Sequence, residues 1–150
     1  MSFVVQSDLV IDAPPQRVFD RMADFGSWPA WMPRSFVPVL RDGAPSPLRL
    51  GDKFRVRVGG APIATMLRVS RLDRPREIAW KGGVPGLFWA EHRFVFEPEG
   101  DRRTRVRSIE TWHGLVARLA KKLVTATALR IGSEQLDGLA KGSALGGKAS

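Results

Sequence analysis

Nine consecutive residues, Phe25-Gly26-Ser27-Trp28-Pro29-Ala30-Trp31-Met32-Pro33, set two tryptophans, a phenylalanine and a methionine around two prolines. Proline fixes φ, removes an amide donor and disfavours helical backbone in the residue before it, so neither a long helix nor a strand runs through this stretch. It is expected to form a short helical piece and a corner that delivers large aromatic side chains to one place in the fold. Whatever this chain folds into must be built around that corner.

With 150 residues the chain makes one domain with one core, since two pieces would each be marginal in size. No apolar run approaches the roughly 20 residues of a membrane span. The opening Met-Ser-Phe-Val-Val-Gln has no basic segment leading into an apolar one, so a soluble, cytoplasmic protein is expected. The absence of cysteine excludes disulfides, thiol nucleophiles and thiolate metal sites, and with His92 and His113 as the only histidines neither a metal nor another cofactor is expected. The net charge of +9 comes mainly from scattered arginines. The densest group, Arg103, Arg105 and Arg107, alternates as the wet face of a strand does, so no nucleic-acid site is expected.

Along the chain, Phe3 to Ile11 reads as a strand, and Asp12-Ala13-Pro14-Pro15 ends it and starts a helix on which Val18, Phe19 and Met22 share one face. That helix stops near Asp24, where the aromatic corner begins. A two-residue rhythm follows, with strands expected over 35–41, 52–59, 62–73, 76–82, 87–97 and 103–112 and short links that make neighbours antiparallel. The segment Gly43–Leu50 is a longer loop of the kind that gates a sheet rim. From Leu115 to about Leu139, Leu115, Leu119, Leu123, Ala126, Leu129, Ser133 and Leu136 recur at helical steps and are expected to be the buried stripe of one long helix. Gly132 marks a bend in it or a close approach to the sheet. The domain is expected to cover 1–141, with a frayed tail over 142–150.

Val10-Ile11-Asp12-Ala13-Pro14-Pro15 followed by Phe25-Gly26-Ser27-Trp28-Pro29-Ala30-Trp31 resembles the opening of the SRPBCC superfamily, which includes START, polyketide cyclase and Bet v 1-like proteins. Phe94-Val95-Phe96-Glu97-Pro98 and Glu110-Thr111-Trp112-His113-Gly114 resemble its last hairpin, and Ala128-Leu129-Arg130 with Glu134 its terminal helix. The resemblance implies an α+β helix-grip fold: a curved seven-stranded antiparallel sheet around a long C-terminal helix, with two short helices between the first two strands. It also implies a cavity for apolar or amphipathic small molecules, in a family of carriers, hormone-binding proteins, cyclases and stress-response activators. Such a fold does not choose among those activities.

Within the hairpin 87–112, alternation puts Phe88, Ala90, His92, Phe94 and Phe96 on the concave side. A turn centred on Asp101 sets His92 opposite Glu110, Phe94 opposite Ser108, Phe96 opposite Val106 and Ala90 opposite Trp112. An imidazole and a carboxylate facing each other in an apolar wall make a structural hydrogen bond, a ligand anchor or an acid–base couple for enolisation or dehydration. Trp28, Trp31, Phe54, Val56, Trp80, Phe88, Phe94, Ser108, Trp112, Leu123 and Thr127 are the candidate lining, with Thr65 and Thr125 as further hydroxyls in a chain without tyrosine. Trp89 falls on the convex side, where an exposed ring suggests a partner surface.

Lys121, Lys122 and Arg130 suggest a basic amphipathic membrane helix, but the sheet is expected to claim its apolar stripe, so no stable membrane insertion is expected. The leading expectation is a monomeric or homodimeric module that binds or carries a hydrophobic or amphipathic molecule, lipid-like or aromatic. The competing readings are a cyclase or dehydratase using His92 and Glu110, and a stress or regulatory protein that contacts a partner through its arginine face or Trp89.

Overall fold

Alternation of charged and apolar residues lays down seven strands, and proline and glycine decide where each ends. In the computed structural model, which describes residues 2–84 and 86–148, these are β1 (Ser2–Ile11), β2 (Phe36–Pro38), β3 (Lys53–Val58), β4 (Thr65–Asp73), β5 (Glu77–Val84), β6 (Phe88–Pro98) and β7 (Thr104–His113). They pair antiparallel in the order β1-β7-β6-β5-β4-β3-β2, so the chain's first strand closes against its last. The β6–β7 register is the one the turn at Asp101 predicts, with His92 opposite Glu110 and Ala90 opposite Trp112. A bulge between Val69 and Arg71 interrupts β4 against β5, a feature that increases local twist.

Between β1 and β2 stand α1 (Pro15–Ala23), with Pro15 in its first turn, and a six-residue 3-10 helix over Phe25–Ala30. The β1–α1 turn is pinned from the neighbouring strand β7, because the buried Thr104 donates its hydroxyl to the Ala13 carbonyl at 2.7 Å. Two helices follow β7: α2 (Leu115–Leu119) and α3 (Lys121–Lys148), separated at Ala120, whose amide still bonds back to Val116. The fold is therefore the helix grip, a curled antiparallel sheet holding a long C-terminal helix.

Two expectations for the last helix are corrected. Its buried face is Ala128, Ile131, Gln135, Leu136 and Leu139, whereas Leu115, Leu119, Leu123 and Leu129 are exposed; of the expected stripe's leucines only Leu136 is buried. The break at Ala120 removes α2 from the phase of α3, and α3 meets the sheet along small residues that let backbones approach. The expected tail from Gly142 is instead helical as far as Lys148, with Ser143 buried; Ala149 and Ser150 lie outside the described residues.

Small residues explain that approach. A Cβ on Gly138 would collide with the Trp31 carbonyl oxygen, and one on Gly142 would lie 2.7 Å from the Trp31 ring, so the aromatic corner seats directly on α3. At Gly132 the expected close approach is present: a Cβ there would meet the hydroxyls of Ser7 and Ser108 at 3.3 and 3.4 Å. Glu134 accepts a hydrogen bond from Ser35 Oγ at 2.7 Å and ties the same helix to the approach to β2.

The core is aromatic. The Trp28 ring lies among those of Phe25, Trp31, Phe36, Phe54 and Trp80, with centroids between 4.9 and 6.2 Å away. Its indole N–H donates to the Met22 carbonyl at 2.9 Å, so the ring is buried without leaving a donor unpaired. The 43–50 loop is part of this packing. Leu48 is buried and its amide bonds to the Ala23 carbonyl, while Ser46 joins Asp24 and the Gly26 amide.

Candidate functional site

The register explains why the interior is full in one place and empty in another. Across the concave face, one row of paired residues runs Ile78, Phe94, Ser108 and the next runs Trp80, His92, Glu110. The row after that runs Leu67, Gly82, Ala90, Trp112. The first two rows carry rings that fill the space under α3. In the third, glycine and alanine occupy the middle and add no bulk to the concave face.

What remains is a cavity of about 390 Å³ between that row and the first half of α3. It lies within the ~300–1,000 Å³ typical of small-molecule sites. Trp80, Phe88, Ala90 and Trp112 form the sheet side, and Leu123, Thr127, Ala128 and Ile131 the helix side. Its mouth is at Leu123, which lines the cavity and is still 71% exposed.

Of the expected lining, Trp80, Phe88, Trp112, Leu123 and Thr127 are in place, as are His92 and Glu110 and the hydroxyl-bearing Thr65. Trp28, Trp31, Phe54, Val56, Phe94 and Ser108 are not; all are buried in the packed core beside or beneath the cavity. The corner aromatics thus build the wall's support and not its surface. The 43–50 loop contributes nothing to the cavity, so it does not gate it. Phe36, Leu67, Gly82 and Gln135 line it without having been singled out. The facing pair Gly82 and Ala90 was the available signal, but reading it required the pairing of β5 with β6.

The polar groups are few. His92 and Glu110 are neighbours across the ladder, yet their side chains make no hydrogen bond to each other. His92 Nε2 shares a 2.7 Å hydrogen bond with Ser108 Oγ, and its ring stacks on Phe94 at 4.2 Å. Burial pushes the His92 pKa down to about 3, which keeps the imidazole neutral at physiological pH. Burial pushes the Glu110 carboxyl the other way, up to about 7. The pair is therefore a neutral histidine held by a serine and a separate carboxyl that titrates near neutrality.

Two further groups have no partner. The side-chain amide of Gln135 is fully buried with neither oxygen nor nitrogen paired, and the buried Trp112 indole N–H is likewise unpaired. Leaving such groups unpaired costs about 1–3 kcal/mol each. Among the described residues no three metal-binding side chains come together. Trp89, on the convex face, is half-buried, stacked on His113 at 3.8 Å with Lys81 over its ring, and so is less free for a partner than an exposed ring.

A curled sheet, a gripped helix and an apolar cavity between them define a ligand-cavity protein of the helix-grip class. The chain belongs to the family of polyketide cyclases, dehydrases and lipid-transport proteins, whose pattern matches residues 2–143, and through it to the SRPBCC superfamily. Among solved structures it is similar to the Zhui aromatase/cyclase of Streptomyces sp. R1128, at 15% identity and a TM-score of 0.72 over 96% of this chain and 94% of that one. A norcoclaurine synthase from Thalictrum flavum is similar at 15% identity and a TM-score of 0.70, over 94% and 92% of the two chains. A protein from Thermus thermophilus is similar at 21% identity and a TM-score of 0.71, over 96% and 99%. At such identities the likeness concerns the fold. No curated protein matches the chain.

Proposed function

We propose that this protein binds and carries an amphipathic small molecule, its apolar body between Phe88, Trp112 and α3 and a polar end directed to Gln135, Trp112 and Glu110. The observation that carries the reading is an apolar cavity of about 390 Å³ with Glu110 in its lining and with the unpaired Gln135 amide and Trp112 N–H buried in its wall. An apolar ligand would leave the Gln135 amide and the Trp112 N–H as they are, whereas a ligand with a carbonyl or hydroxyl would supply their missing partners once those side chains turn towards it. The family's range, which includes lipid transport and cyclisation, agrees with such a ligand.

A second reading has one specific observation in its favour. A carboxyl with its pKa at about 7 is matched to proton transfer at neutral pH, so Glu110 serves as the acid or base if the bound molecule is also turned over. His92 is too weak a base for that role and positions the wall.

The test is native mass spectrometry of purified protein, with extraction and identification of what is bound, on the wild type and Ala90→Leu. Wild type is expected to carry a co-purifying compound or to take one from a mixed panel of fatty acids and aromatic polyketide-like compounds. Ala90→Leu, which places a side chain in the empty row, is expected to lose it while remaining folded. A wild type that stays empty with every compound, or a variant that binds as well as wild type, would overturn the reading.

A further inference from the structure

Three connections frame the mouth of the cavity, and each begins and ends on a residue that lines it: Val58 to Thr65, Gly83 to Phe88, and Trp112 to Leu123. Antiparallel order brings all three to the same end of the sheet. There the Val116 amide bonds to the Leu87 carbonyl, holding α2 against the β5–β6 connection. Each connection turns large apolar side chains outward. Leu119 is 80% and Ile63 79% exposed, and Leu87, Leu115 and Val116 are exposed with them. A helix that the sheet was expected to bury instead holds out its leucines beside the cavity.

Charge around this rim has one sign. Residues 53–72, 78–90 and 111–133, which include all three connections, contain no aspartate or glutamate. They carry Arg57, Arg118, Lys121 and Lys122 on exposed positions close to the apolar tip. Carboxylates elsewhere are frequent on the sheet's convex face, where Glu77, Glu91 and Glu97 pair with arginines, and Glu99 does so in the β6–β7 turn. Exposed leucines and isoleucine flanked by cations, with acids excluded, fit an interface in which hydrocarbon lies under negative headgroups. No helix among the described residues is long and apolar enough to cross a membrane, so the contact is one of lying on the surface.

We infer that the rim formed by α2, the start of α3, the 58–65 connection and the turn at Gly86–Phe88 docks reversibly on an anionic lipid bilayer, with the cavity mouth facing the membrane. Ile63 and Leu119 enter the headgroup layer, and the surrounding lysines and arginines meet anionic lipids. Docking in this orientation lets a cavity ligand pass between bilayer and protein without crossing water. The docking surface stands independently of that ligand.

Vesicle flotation tests it with purified protein and two compositions, phosphatidylcholine alone and phosphatidylcholine with about 30% phosphatidylglycerol. Wild type is expected to float with the anionic vesicles and to be released as salt rises from about 0.05 to about 0.5 M. Ile63→Asp/Leu119→Asp, two exposed sites outside the cavity lining, is expected to reduce partitioning at least ~10-fold with an unchanged melting temperature. Lys122→Glu is expected to weaken binding to anionic vesicles only. Failure to float with either composition, or flotation that the double variant leaves unchanged, would overturn the inference. So would a wild-type dimer that the double variant converts to monomer without any vesicle binding, which would assign the rim to a second copy of the chain. Vesicles of these lipids are read without any cavity ligand, so failure here leaves the ligand-binding reading intact, and failure there leaves this one.

Discussion

His92 and Glu110 sit opposite each other on β6 and β7 and are shifted in opposite directions by the same burial. Their effects on stability have opposite signs. Glu110 is protonated in the fold up to about pH 7 but ionises near 4.5 when unfolded, so its contribution to stability falls as pH rises through that window. His92 is neutral in the fold down to about pH 3 but takes up a proton near 6.5 when unfolded, so its contribution falls as pH drops from 6.5 towards 3. Where the windows overlap the two slopes oppose each other. Denaturant unfolding measured across pH should show this as a difference between variants: Glu110→Gln should gain stability relative to wild type as pH rises from 4.5 to 7, and His92→Gln should gain relative to wild type as pH falls below 6.5. Equal pH dependence in all three proteins would mean that neither group is desolvated as described. That both residues face one concave wall was legible from alternation and the Asp101 turn. That Ser108 takes the imidazole was not, because reach and rotamer, which alternation does not specify, decide which of two neighbours a side chain meets.

At the scale of elements, α3 shows how pattern and burial part company. Leucines at 115, 119 and 123 have helical spacing, but the break at Ala120 and the contact with Trp31 turn the buried face to Ile131, Leu136 and Leu139. Leu119→Ala is expected to change unfolding free energy by less than about 0.5 kcal/mol, while Leu139→Ala, in the core, should cost about 2–5 kcal/mol. Glycine makes the second case. In an open helix Gly→Ala stabilises by up to about 1 kcal/mol, but at Gly138 the added methyl meets the Trp31 carbonyl, and thermal unfolding should show a loss of about 1–3 kcal/mol instead. A gain at Gly138 would mean that helix and corner do not touch as described. The strands, by contrast, were readable to within a few residues, because proline and glycine end them locally. The six expected after β1 differ from the observed ones mainly at their ends and in β2, shortened to Phe36–Pro38.

For the whole molecule, the consequence of an internal cavity is that stability depends on occupancy. A ligand bound only by the native state adds about 2.7 kcal/mol at a concentration one hundred times its dissociation constant. Protein stripped of its ligand by organic extraction and refolding is therefore expected to melt several degrees below protein as purified, and adding back the extracted compound should restore the difference. Ala90→Leu should show no such difference. The acid-free segments, separate along the chain, share one end of the sheet, so the net charge of +9 is asymmetric in space.

By itself the sequence determined the order of strands and helices, the β6–β7 register and the corner at Phe25–Pro33, since these depend on local backbone preference, side-chain alternation and turn chemistry; the fold family entered only as a resemblance of its motifs. Only the tertiary structure decided which aromatics fill and which line, that the empty row runs through Gly82 and Ala90, and that leucines stand exposed around the mouth. Those are properties of volume left between elements, fixed by how close α3 approaches the sheet at Gly132, Gly138 and Gly142, and no stretch of chain carries that distance within itself.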